Sequence, residues 1–236
     1  MQRKSVLERV KPEVRAISAY TLQEYEYRVK INQNENPYDV PASIKQEILD
    51  FALERSWSRY PPFIPEELHV RLAAYAGWKP EGVLAGNGSN EIIQALMTVF
   101  LGPGKKLMIP SPTFTVYQLI ARTLGADVIT VPLNPDYTFD CKALEERFLT
   151  DGDLLVVCSP NNPTGCGYPV ERTAALLERT SKPVVIDEAY FEFSGETAVG
   201  LLEKYDNLIV LRTFSKAFSL AGLRVGYLLA DIRVIN

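Results

Sequence analysis

From about residue 80 onward, short β-rich runs alternate with longer amphipathic segments. The runs read KLMIP, DVITVP, LLVVCSP, PVVIDEA, NLIVLRT and VGYLLA, with helical patterns between them. No other feature constrains the fold as tightly, because strand-helix-strand alternation closes as an α/β sheet with helices on both faces. LLVVC is apolar at every position and predicts a strand covered on both sides. In NEIIQALMTVFLG, residues Ile92, Ile93, Leu96, Val99 and Phe100 recur at helical spacing, and Gly102 closes the segment.

The first 60 residues differ in character. INQNENPYDVP is polar and turn-rich, and a helix is expected from Ala42 to Arg55, so this region reads as an arm leading into a helix. No repeat, low-complexity tract or Gly/Ser linker divides the chain. With 47% hydrophobic residues among 236, there is material for one large domain. Basic residues number 25 against 29 acids and form no stripe, which argues against a nucleic-acid partner. No apolar run approaches the roughly 18 residues a membrane span needs, and MQRKSVLERVKPEV lacks a signal-peptide core, so a cytoplasmic protein is expected. Cys141, Cys158 and Cys166 make neither a CxxC pair nor an even framework and fit reduced thiols. His69 is the only histidine, which leaves almost nothing for a histidine-based metal site or a Ser-His-Asp triad. Chemistry must come from Lys, Asp, Tyr, Arg or a cofactor.

Four junctions could carry it. LAGNGSNEII sets a glycine-rich turn before a helix, where backbone N–H groups and the Ser89 hydroxyl could cup a phosphate. A serine-capped helix is the plainer alternative. CSPNNPTGCG follows a buried strand and offers the amides of Asn161 and Asn162 where open sheets bind ligands; a turn satisfied by its own asparagines is the alternative. PVVIDEAYFEF ends a strand with Asp187, suited to a protonated ring nitrogen, and Tyr190 could reach the same ligand, unless Asp187 only caps the next segment. In TFSKAFSLAGLRVGY, Lys216 follows the hydroxyls of Thr213 and Ser215 and precedes Arg224. A lysine amine held against a cofactor aldehyde forms a Schiff base, while hydroxyls and arginine neutralise a phosphate. Both cations could equally be surface residues.

NENPY, SRYP, GNGSNE, SPTF, SPNNPTG, DEAY and FSKAFSLAGLRVGY occur in one order from Asn34 to Tyr227. Together they resemble the aspartate-aminotransferase-type superfamily of pyridoxal phosphate enzymes, and within it the histidinol-phosphate aminotransferases. The resemblance implies a mostly parallel doubly wound sheet, with an arm over residues 1–40 and a pyridoxal 5'-phosphate-binding large domain over 41–236. It implies that Lys216 carries the cofactor and moves the substrate proton, and that Asp187 pairs with the ring nitrogen. Asn162 and Tyr190 would bond the ring oxygen, Phe114 would stack on the ring, and Ser89, Asn90, Thr213, Ser215 and Arg224 would surround the phosphate. Tyr60 resembles the tyrosine that reaches the neighbouring subunit's cofactor, which implies a homodimer. Tyr20, Asn34 and Asn162 would line the pocket for an amino-acid phosphate, with 2-oxoglutarate and glutamate as the exchange pair.

Family members continue beyond the position of Asn236 into a small domain carrying substrate-binding arginines. The expectation is that this domain is absent here and turnover impaired. Threonine-phosphate decarboxylase, another amino-acid aminotransferase, and a noncatalytic cofactor-binding or interaction fragment are the alternative readings.

Overall fold

The computed structural model describes residues 5–17, 26 and 28–236. Seven strands form one sheet: β1 (Val83–Asn87), β2 (Lys106–Ser111), β3 (Asp127–Pro132), β4 (Leu154–Cys158), β5 (Val184–Asp187), β6 (Leu208–Thr213) and β7 (Val225–Ala230). Their order is β1-β7-β6-β5-β4-β2-β3. The pairs β2/β3, β2/β4, β4/β5 and β5/β6 are parallel, and β7 runs antiparallel to both β6 and β1. The stretch between Thr213 and Val225 holds only a short 3₁₀ turn, Ala221–Leu223, so β7 returns beside β6 without a crossover helix and must run antiparallel.

Strand alternation sorts the core into two layers. Leu107, Ile109, Leu154, Val156, Ile209 and Leu211 face one side, where they meet Ile92, Ile93, Leu96 and Met97 of the Ser89–Phe100 helix and Tyr117 and Ala121 of the Val116–Thr123 helix. Met108, Leu155, Val157, Leu208, Val210 and Leu229 face the other, against the Glu66–Ala76, Cys141–Asp151 and Val170–Leu177 helices. Each such fully buried side chain stabilises the fold by roughly 1.5–3 kcal/mol. LLVVC is buried at all its positions, as its composition predicts.

The helix after the glycine-rich turn departs from its sequence reading in one respect. Val99 is 75% exposed, and Met97 fills the core position instead. The expected Ala42–Arg55 helix forms over Ala42–Leu53 and buries no residue. All three cysteines are free thiols. Among the described residues no helix is long and apolar enough to cross a membrane, and no cluster of three metal-ligating side chains occurs.

Candidate active site

The ends of β4, β5 and β6 bring Cys158, Asp187 and Thr213 to one edge of the sheet, the carboxyl edge where open α/β sheets bind ligands. Asp187 is 2% exposed. Its Oδ2 accepts a 2.6 Å hydrogen bond from the Tyr117 hydroxyl, and its Oδ1 accepts from the Ala189 N–H at 3.1 Å. The second bond is the local turn that sequence reading allowed; the first ties β5 to a distant helix. Burial pushes the Asp187 carboxyl above its usual range, while Tyr117, the Ala189 N–H and the nearby Lys216 pull it back. A carboxylate has about four lone-pair sites, so Asp187 retains capacity for a further donor. Phe114 meets Tyr117 edge-on at 5.4 Å and forms a wall beside it.

The loop after β4 separates two adjacent asparagines by role. Asn161 is buried and committed: it accepts from Thr113 Oγ1 at 2.7 Å and donates to the Pro112 carbonyl at 3.0 Å and Thr164 Oγ1 at 2.8 Å. Asn162 faces a cavity of about 430 Å³ that Asn34, Tyr190, Phe193 and Ser194 also line. Asn34 Nδ2 donates to the Tyr190 hydroxyl at 2.8 Å and reaches Asn162 Oδ1 at 3.5 Å. The arm is therefore part of the site.

Lys216 is half-buried, and its ammonium donates to the Gln33 carbonyl at 2.8 Å. Gln33 and Asn34 adopt left-handed φ values of 64° and 51°, which turn one residue's carbonyl and the next residue's side chain toward the site. Desolvation lowers the Lys216 amine below its ordinary pKa; Glu35 opposes that shift and Arg224 adds to it.

A second cluster lies where β7 meets the Ser89–Phe100 helix. A Cβ on Gly226 would sit 2.3 Å from the Ser89 backbone nitrogen, and one on Gly88 would sit 2.4 Å from Arg224 Nη2. Only glycine permits both approaches, so the guanidinium lies against the start of the helix. Gly88, at φ 80°, is the N-cap, with no side-chain cap. Ser89 is thus the first helical residue, not the cap of the plainer reading. The first N–H groups of a helix have no intrahelical acceptor and favour an anion. Thr213 and Ser215, both buried, share a 3.0 Å hydroxyl contact. Cation, helix terminus and hydroxyls are a donor set for a phosphate. Beside it stand a carboxylate suited to a protonated ring nitrogen and an amine suited to an aldehyde.

A family model described as aminotransferase class I and II matches residues 28–236. The chain belongs to that family. It is 41% identical over 223 residues to the histidinol-phosphate aminotransferase of Thermococcus gammatolerans, covering 94% of this chain and 64% of that one. It is 42% identical over 208 residues to that of Chlorobaculum tepidum, covering 87% and 60%. The chain therefore spans less than two thirds of these relatives. In fold it is similar to the histidinol-phosphate aminotransferase of Sinorhizobium meliloti in complex with pyridoxal-5'-phosphate, with a TM-score of 0.87, 23% identity, and coverage of 98% and 66%. The enzyme of that name from Clostridium acetobutylicum matches with a TM-score of 0.75 at 27% identity, covering 84% and 59%.

In this class I and II aminotransferase chain, Lys216, Asp187, Tyr190, Asn162 and Asn34 gather at the strand ends, Phe114 stands by Tyr117, and Arg224 meets Gly88 next to Ser89. Asn90 is exposed in the first helical turn. Tyr60 is fully exposed at 101% and outside the buried cluster, while Tyr20 lies outside the described residues. Sequence reasoning missed Tyr117, the Gln33 carbonyl and the packing roles of Gly88 and Gly226. Tyr117 lies in the first turn of the Val116–Thr123 helix and Phe114 in the loop before it, so no local spacing signalled their contact.

Proposed function

We propose that this chain forms the cofactor-binding part of a pyridoxal 5'-phosphate-dependent aminotransferase, acting in the cytoplasm on histidinol phosphate with 2-oxoglutarate as amino acceptor. The observation that carries the reading is the placement of Asp187 at the end of β5 and of Lys216 just past the end of neighbouring β6, together with the Arg224–Gly88 cradle. Similarity to histidinol-phosphate aminotransferases at about 40% identity supports the substrate. When bound, the cofactor supplies an aldehyde and an electron-accepting ring.

The chain's own residues would do the rest. Arg224, the first helical N–H groups and the hydroxyls of Thr213 and Ser215 would hold the phosphate. Phe114 would flank the ring, and Asn162 and Tyr190 would orient its oxygen. Asp187, fixed by Tyr117, would keep a proton on the ring nitrogen. Lys216, whose amine sheds its proton more readily than an ordinary lysine, would take the substrate Cα proton as base. Asn34 would close the pocket from the arm. We also assign a homodimer to this reading: Trp57, Tyr60 and Phe63 are 80%, 101% and 104% exposed, an apolar run that a second copy would cover, bringing Tyr60 to the partner's phosphate.

Borohydride reduction in the presence of pyridoxal 5'-phosphate, followed by peptide mass mapping, tests the cofactor assignment. The label is expected on Lys216, and a label confined to other lysines would refute it. Glutamate formation from histidinol phosphate and 2-oxoglutarate, compared with other phosphorylated and aromatic amino acids, tests the substrate.

A further inference from the structure

Behind the site, on the opposite side of the sheet, Glu188 and Arg212 form an ion pair with both residues 1% exposed. Glu188 directly follows Asp187, and Arg212 directly precedes Thr213, so strand alternation sends them away from the site while their neighbours face it. The Glu188 carboxylate accepts from Arg212 Nε at 3.0 Å, from Thr197 Oγ1 at 2.9 Å and from the Ala198 N–H at 2.6 Å. Arg212 Nη2 donates to Thr197 Oγ1 at 2.8 Å. The guanidinium also stacks 3.7 Å from the centre of the Phe191 ring, and Phe191 directly follows Tyr190. Backbone pairing continues through the cluster, with the Glu188 N–H donating to the Leu211 carbonyl at 2.8 Å.

Asp187, Tyr190 and Thr213 are thus each one residue along the chain from a member of this cluster. The loop carrying Tyr190 is closed at its far end by the Glu188–Ala198 bond. Stability alone is a weak account of a pair sealed this deeply, since desolvation offsets much of the attraction. Arginine's planar fork fixes direction as well as distance, which suits it to setting geometry.

We propose that Glu188 and Arg212 are positioning residues that hold Asp187, Tyr190 and the Thr213–Lys216 turn in register with one another across the sheet. The proposal rests on the aminotransferase reading above. Its test is the visible absorption of protein reconstituted with pyridoxal 5'-phosphate, followed against pH. Arg212→Met is expected to raise the titration midpoint by about one unit, because a displaced Tyr190 hydroxyl supports the unprotonated form less well. Arg212→Lys, which keeps the charge and loses the fork, restores the midpoint only in part.

Thr197→Val leaves both charges in place and removes the bridging hydroxyl; it is expected to shift the midpoint upward by less, and it serves where Arg212→Met fails to fold. Variants that fold, take up cofactor on Lys216 and titrate at the wild-type midpoint would overturn the positioning role. Wild-type protein that takes up no cofactor on Lys216 would overturn the aminotransferase reading and the proposal with it.

Discussion

Replacing Tyr117 with Phe removes one oxygen and leaves the ring that fills the core. Tyr117 is fully buried, and its hydroxyl is 2.6 Å from Asp187 Oδ2, one of two donors to that carboxylate among the described residues. A hydrogen bond to a charged acceptor contributes about 1.5–3 kcal/mol, and this one holds the Asp187 pKa down against the effect of burial. Burial already raises the Asp187 pKa above the ordinary 3.8, and loss of the donor raises it further. The fold therefore favours the protonated carboxyl, a contribution fully present below the unfolded value and lost as pH rises through the raised folded value. Tyr117→Phe widens that window, so its destabilisation is expected to be largest at pH 7 and to shrink as pH falls through the raised folded value. Urea unfolding from pH 7 down into the acid range measures it. Destabilisation that does not change with pH, or none at pH 7, would refute the placement of the charge on Asp187.

In a chain extended to the length of its relatives, Asp187→Ala is expected to retain cofactor capture on Lys216 by borohydride trapping while losing most amino transfer in steady-state glutamate assays. Arg224→Ala should weaken binding of pyridoxal 5'-phosphate by roughly 10- to 100-fold, the loss of a charge-assisted contact, and leave binding of pyridoxal nearly unchanged in spectral titrations. Gly226→Ala forces a Cβ to within 2.3 Å of the Ser89 nitrogen, a backbone atom that cannot swing aside. It should cost about 1–3 kcal/mol in thermal unfolding and loosen the cofactor's phosphate.

The strands were legible because their signal is local. A run such as LLVVC or NLIVLR is apolar at nearly every position, and only a strand covered on both sides uses all of it. The antiparallel direction of β7 was less visible, since it depends on how little of the Thr213–Val225 connection becomes helix. Val99 shows the limit of helical spacing: it fits an apolar stripe, yet the stripe that meets the sheet runs through Ile92, Ile93, Leu96 and Met97, and Val99 points to solvent.

The site was legible only where one short motif carries its own chemistry, as with Lys216 between hydroxyls and arginine, or Asp187 at a strand end. What sequence could not supply were contacts closed over long separations. Asn34 meets Tyr190 across 156 positions and Lys216 meets the Gln33 carbonyl across 183. Glu188 and Arg212 are the instructive case. A charged residue inside the run LIVLRT reads as a blemish in a buried strand, and a glutamate beside an aspartate reads as a spare carboxylate. Each is explained only by the other, because a buried charge is tolerated where its partner and hydrogen bonds are already in place. Two such anomalies at the ends of neighbouring parallel strands therefore predict one contact, placed on the face opposite their sequence neighbours Asp187 and Thr213.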